Sequence, residues 1–255
     1  MKLLREYIRA LLDQDHAQGD PWEQIFQQIR DNRLHGAQLP DINYDALADA
    51  MNKDLGYDVD REAFSPTSYA TFEDWFLREL SGYTRAQCEK KSVLADVCSP
   101  VQGTVRKNVP VGEMTLKKSV VDVDQLLGLL QGEELVQISL QKTDYHHVHS
   151  PVDGQVLEVL MLEKDGLFPG SESMAIIEIQ SEVGVVKVMA IGEWTVQTFV
   201  PDVVAGQMVS KLDKLGYFYF GSQVIVVLPA HLEIIVNLEG KERVFPGDPL
   251  CLSAL

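Results

Sequence analysis

The chain has 255 residues, enough for one large domain or two small ones, with 45% hydrophobic and 24% charged side chains. It carries 22 Lys and Arg against 38 Asp and Glu, a net charge of -16, which argues against a nucleic-acid partner and against purely electrostatic adhesion to an anionic membrane. Three cysteines, Cys88, Cys98 and Cys251, form no CxxC pair and no even disulfide framework, so a reducing cytoplasm is expected.

The first 90 residues read as helical. Leu3, Leu4, Tyr7, Ile8, Leu11 and Leu12 recur at helical spacing, flanked by Lys2, Arg5 and Arg9. The first reading is a helix packed on its own domain; the alternative is one lying in a membrane interface. Asp20-Pro21-Trp22-Glu23 is a helix start, and a further helix is predicted over Tyr44–Leu55, stopped by Gly56. Thr71 to Asp74 caps another, with Phe72, Trp75, Phe76 and Leu80 on its apolar side.

The texture then changes to short Val/Ile-rich runs between Gly, Pro and Asp turns. Strands are predicted at Leu135–Leu140, Gln155–Leu162, Met174–Gln180, Val185–Ile191, Thr195–Val200, Tyr217–Leu228 and Leu232–Leu238, with a short helix over Val121–Leu130. The expected fold is α+β: a helical region 1–90 followed by a compact β-rich body 91–255. Ser99-Pro100-Val101-Gln102-Gly103 echoes Ser150-Pro151-Val152-Asp153-Gly154, which predicts a duplicated β motif.

The densest chemistry is Asp144-Tyr145-His146-His147-Val148-His149-Ser150-Pro151, with three of the six histidines in four positions. Histidine titrates nearest neutrality, so the block can move protons or hold a metal, and the turn residues after it place it at a loop edge. On a strand His147 and His149 share a face, and with Asp144 or Asp153 they would offer a zinc set for a hydrolase. His16 and His35 have no motif around them. A second feature is Gly221-Ser222 inside a strong strand pattern; taken alone, an isolated Gly there reads as a β-bulge.

Taken together, four segments in order resemble the phosphatidylserine decarboxylase family. They are Thr71–Leu80 followed by Arg85, Ser99–Gly103, Asp144–Pro151, and Gly216 to Val224. The resemblance implies a pyruvoyl enzyme that cuts itself at Gly221-Ser222 into residues 1–221 and 222–255. Ser222 would be the nucleophile and the pyruvoyl precursor, and no metal is implied. His149 aligns with the base for cleavage and His146 with the histidine assisting decarboxylation; His147 receives no role. The pyruvoyl group would act as electron sink while phosphatidylserine loses CO2 to give phosphatidylethanolamine. Such a substrate implies peripheral membrane contact through the Leu3–Leu12 helix and the Phe72/Trp75/Phe76 group. The setting would be cytoplasmic, at the inner face of a membrane, and a homodimer is compatible with the sequence.

Two residues depart from the family pattern. Gln102 stands where the family has Asp, and a glutamine orients a histidine without supplying charge; Asp96 or Asp144 are candidate substitutes. Gln223 stands where the family has Thr. The alternatives are therefore the same fold acting on a soluble amino acid or another serine ester, and a non-cleaving relative. A zinc hydrolase is the remote reading.

Overall fold

The computed structural model describes residues 62–65, 69, 72–106, 113–116, 119–122, 134–141, 144–163, 173–192, 199–218, 223–236 and 242–253. The helices expected over 1–61, the Leu3–Leu12 stripe, His16 and His35 lie outside them. By chain contacts the protein divides into Met1–Thr84 and Arg85–Leu255.

In the first unit a strand pair forms between β1 (Phe64–Ser65) and β2 (Glu79–Leu80), with helix α1 (Phe72–Phe76) between them in sequence. The predicted helix does not continue to Leu80: it stops at Phe76. The Arg78 guanidinium donates to the Trp75 carbonyl (3.1 Å) and lies over the Phe64 and Trp75 rings. That anchor turns the chain, and Leu80 then pairs with Phe64 in an extended strand. Trp75 and Phe76 are each 2% exposed, so the expectation that they face lipid is corrected for these two. Helix α2 (Gly82–Ser92), which falls at the end of the region expected to be helical but carries no predicted bounds of its own, begins where the Thr84 N–H donates to the Ser81 hydroxyl.

The second unit is a β body. In chain order its strands are β3 (Val97–Cys98), β4 (Gly103–Arg106), β5 (Glu113–Leu116), β6 (Ser119–Asp122), β7 (Glu134–Ser139), β8 (His147–His149), β9 (Gly154–Glu163), β10 (Ser173–Ser181), β11 (Gly184–Ile191), β12 (Phe199–Pro201), β13 (Met208–Val209), β14 (Lys214–Phe218), β15 (Gln223–Leu228), β16 (Leu232–Ile234), β17 (Arg243–Val244) and β18 (Pro249–Ser253). Val121 and Asp122 are therefore in a strand; the rest of the helix predicted over Val121–Leu130 lies outside the described residues. The run Tyr217–Leu228 is not one strand, because β14 and β15 belong to different sheets.

The largest sheet has the order β13-β9-β10-β11-β15-β7-β4-β17. Strand β15 lies between β11 and β7, and every one of its residues is buried. This is why Val224-Ile225-Val226-Val227-Leu228 reads as a continuous apolar run rather than an alternation: neither face meets water. Val224, Val226 and Leu228 face a core shared with Val136, Ile138, Val186, Val188 and Ile177, completed by Leu215, Phe218 and Phe199 from outside this sheet.

Two smaller sheets, β12-β14-β8 and β16-β18-β3, are copies of one motif. Ser99 and Ser150 donate from their hydroxyls to the carbonyls two residues on, Val101 and Val152. Their backbone N–H groups donate to the carbonyls of Asp248 and Asp213, and their own carbonyls accept from Gly247 and Leu212. The carboxylates of Asp248 and Asp213 accept from Phe245 N and Ser210 N, both at 2.7 Å. The Cys98 N–H donates to the Pro151 carbonyl while the His149 N–H donates to the Pro100 carbonyl, so the two corners also bind each other. Register agrees as well: Pro249 pairs Cys98 as Lys214 pairs His149, each followed by an irregularity. The Ser-Pro echo in the sequence thus marks a true structural duplication, in which His149 of one copy corresponds to Cys98 of the other.

Candidate active site

The histidine block is a strand rather than a loop edge. Strand β8 pairs with β14, setting His149 opposite Lys214 and His147 opposite Tyr217. The Phe218 N–H donates to the His146 carbonyl (3.0 Å), so His146 sits where β14 ends, before Gly221 and Ser222. Gly216 permits this close packing: a Cβ there would lie 2.3 Å from the Val200 carbonyl oxygen on β12. Every residue from Asp144 to Ser150 is buried, with His146 and His149 at 0% and 1% exposure.

Both ring nitrogens of His149 are engaged. Nδ1 lies 2.8 Å from the Leu212 carbonyl and Nε2 lies 3.0 Å from the Tyr145 hydroxyl. A carbonyl only accepts, so Nδ1 carries the proton; Nε2 of the neutral ring then accepts from the phenol. The Tyr145 and His149 rings stack, 5.6 Å between centroids and 14° apart in plane. Burial pushes the His149 pKa down to about 3, opposed by the Leu212 hydrogen bond and helped by His147, Arg85 and Lys214. The imidazole is therefore neutral across the physiological range, in one fixed tautomer.

Gln102 does not reach this ring. Its Oε1 accepts the backbone N–H of Tyr145 at 2.8 Å. Neither candidate substitute carboxylate hydrogen-bonds His149. Asp144, 1% exposed, pairs with Arg243 and accepts the Gln141 N–H; Asp96 accepts the Ser253 N–H. Asp153 accepts the Lys211 N–H. The zinc set built from His147, His149 and these aspartates is thus not assembled, and among the described residues no group of three or more His, Cys, Asp or Glu could hold a metal. His147 packs between the rings of Tyr145 (5.2 Å) and Tyr217 (5.9 Å).

Gly221 and Ser222 lie outside the described residues. Their neighbour Gln223 opens β15, is 5% exposed, and its Nε2 has no hydrogen-bond partner among the described residues. A buried amide without an acceptor is costly, so an acceptor group is expected beside it.

This arrangement has known relatives. The family model described as phosphatidylserine decarboxylase matches residues 72–251. The chain belongs to the phosphatidylserine decarboxylase family. A relative named phosphatidylserine decarboxylase proenzyme 2, from Komagataella phaffii, is 28% identical over 195 residues, covering 67% of this chain and 19% of that protein. A phosphatidylserine decarboxylase proenzyme from Geobacillus sp. is 24% identical over 194 residues, 67% of this chain and 73% of its own length. One from Acinetobacter baumannii is 26% identical over 219 residues, 71% and 76% respectively. The chain thus spans about a fifth of the long relatives from Komagataella phaffii and Schizosaccharomyces pombe (19% of each) and about three quarters of the bacterial ones.

Two residues of the site escaped the sequence reading. Tyr145 sits inside the histidine motif and could have been singled out as a buried phenol in need of a partner. Leu212 gave no signal, because a backbone carbonyl carries no side-chain identity.

Proposed function

We propose that this chain is a self-processing decarboxylase that converts phosphatidylserine to phosphatidylethanolamine and CO2. The observation that carries the reading is the neutral, tautomer-locked His149 on β8, paired with the strand β14 that leads into Gly221-Ser222, in a chain of this family.

In the reaction the Ser222 hydroxyl attacks the Gly221 carbonyl and the peptide becomes an ester. A base then removes the Ser222 α-proton, the ester C–O bond breaks by elimination, and water hydrolyses the dehydroalanine left behind. Ammonia leaves, and the shorter chain begins with a pyruvoyl group. Serine is a weak nucleophile without an adjacent base, and His149 is that base. Once formed, the pyruvoyl group supplies an electron sink for loss of CO2. The buried Gln223 amide, one residue along in sequence, would offer a donor to that group. His146, whose carbonyl binds the Phe218 N–H at the end of β14, steers the substrate carboxylate and returns a proton in this reading.

A lipid substrate implies work at a membrane surface, and we assign the chain to the cytoplasmic face as a peripheral protein. Among the described residues no helix is long and apolar enough to cross a membrane. Among the described residues, Val93 and Leu94, 76% and 66% exposed and just past Lys90 and Lys91 at the end of α2, offer an adjacent apolar pair to lipid.

Intact mass spectrometry with a lipid turnover assay tests the proposal. Pieces 1–221 and 222–255, the shorter bearing a reactive carbonyl, are expected together with phosphatidylethanolamine release. A chain that stays whole after long incubation refutes it.

A further inference from the structure

We infer that protons reach and leave His149 through the hydroxyl of Tyr145, and that Gln102 serves this step as a positioning residue by fixing the Tyr145 backbone. The inference rests on the self-cleavage reading above and adds the route by which its base is engaged.

Geometry carries the argument. Nδ1 of His149 is bound to the Leu212 carbonyl, which can only accept. The remaining lone pair, on Nε2, is covered by Tyr145. At 1% exposure the ring has no bulk water to exchange with. A hydroxyl that gives a proton to this histidine therefore meets the phenol first. The donor's proton passes to Tyr145 Oη as the phenol's own proton passes to Nε2. One O–H bond breaks in the donor, one breaks and one forms at Tyr145, and one N–H forms on His149. Reversal returns the proton, so no further reactant is consumed. Phenols suit this task because one oxygen both donates and accepts.

Gln102 enters at the other end of the same residue. Tyr145 is 1% exposed and stacked on His149, and its N–H is tied to Gln102 Oε1. Position 102 thus acts on the histidine through the tyrosine rather than by charge. An oxygen at the right reach is what it needs to supply, and glutamine has one.

The test compares uncut precursors of the parent, Tyr145→Phe, Gln102→Met and Gln102→Glu by intact mass over time, with melting temperature and the 15N shift of His149 Nε2 on uncleaved protein. Tyr145→Phe keeps the stacked ring, so its melting temperature is expected to stay within a few degrees. Its cleavage slows by at least ~10-fold, as loss of a general acid–base contact does. The Nε2 resonance moves, as it would not for a bystander ring. Gln102→Met, of similar length but lacking the oxygen, slows cleavage in the same direction, and Gln102→Glu recovers part of the rate. Cleavage of Tyr145→Phe at or above the parental rate overturns the relay while leaving self-processing intact. A parent that never cuts overturns both. If Tyr145→Phe does not fold, equal rates for the two Gln102 variants overturn the inference.

Discussion

The carbonyl of Leu212 lies 2.8 Å from Nδ1 of His149, and Leu212 holds a left-handed backbone (φ 69°), the one non-glycine residue to do so among the described residues. At the matching place in the duplicate motif stands Gly247, φ 88°, which takes that conformation without strain. A leucine there costs on the order of 1 kcal/mol. The conformation persists because Leu212 is buried and its N–H and carbonyl are both bound, and it aims the carbonyl that sets the histidine tautomer.

His149 should make the fold acid-sensitive in a defined window. It stays neutral when folded, with a pKa of about 3, while an unfolded chain takes up its proton near 6.5. Its contribution is full above pH 6.5 and is lost as pH falls toward 3, on the order of a few kcal/mol in all. His149→Gln should show a shallower loss of urea stability over that range, and no self-cleavage.

Ser222→Ala removes the proposed nucleophile without touching the described core. The expected product is a whole 255-residue chain with parental circular dichroism and no lipid turnover. A cut chain from this variant would move the scissile bond elsewhere.

Gly247→Ala should destabilise without altering chemistry. A Cβ there would lie 2.5 Å from the Cys88 carbonyl oxygen, and the φ of 88° disfavours any side chain. The expected cost is ~1–3 kcal/mol by urea titration. Whatever protein still folds should self-cleave at the parental rate.

Val93→Ser with Leu94→Ser tests the lipid-facing assignment. Sedimentation with vesicles containing anionic lipid should drop several-fold, while self-cleavage and melting temperature stay unchanged. Equal sedimentation would place the membrane contact on other residues.

The β body was legible because its buried strands are rich in Val and Ile and its corners repeat a Ser-Pro signature. Helix α2 was covered only by the general helical expectation for 1–90; its own bounds were not legible, because its sequence, Gly-Tyr-Thr-Arg-Ala-Gln-Cys-Glu-Lys-Lys-Ser, shows no apolar stripe. The aromatic spacing at Phe72, Trp75 and Phe76 predicts a helix, and one forms over Phe72–Phe76. It does not extend to Leu80 because Arg78 lies over the ring of Phe64 and Leu80 pairs with Phe64 in a strand, a tertiary effect that outweighs local propensity. At the site the histidines announced themselves. The partners that define them did not: Leu212 is 63 residues from His149, and Arg243 is 99 from Asp144. Long-range pairings of that kind leave no local pattern.

Strand β15 begins one residue beyond Ser222 and is laced into the middle of the eight-stranded sheet, with β11 on one side and β7 on the other. The piece 222–255 also contains β16, β17 and β18, each paired to a strand of this body. A chain severed at Gly221-Ser222 would therefore travel as a single particle. Two polypeptides would appear only under denaturing conditions, and the freed end of β15 would remain moored between β11 and β7.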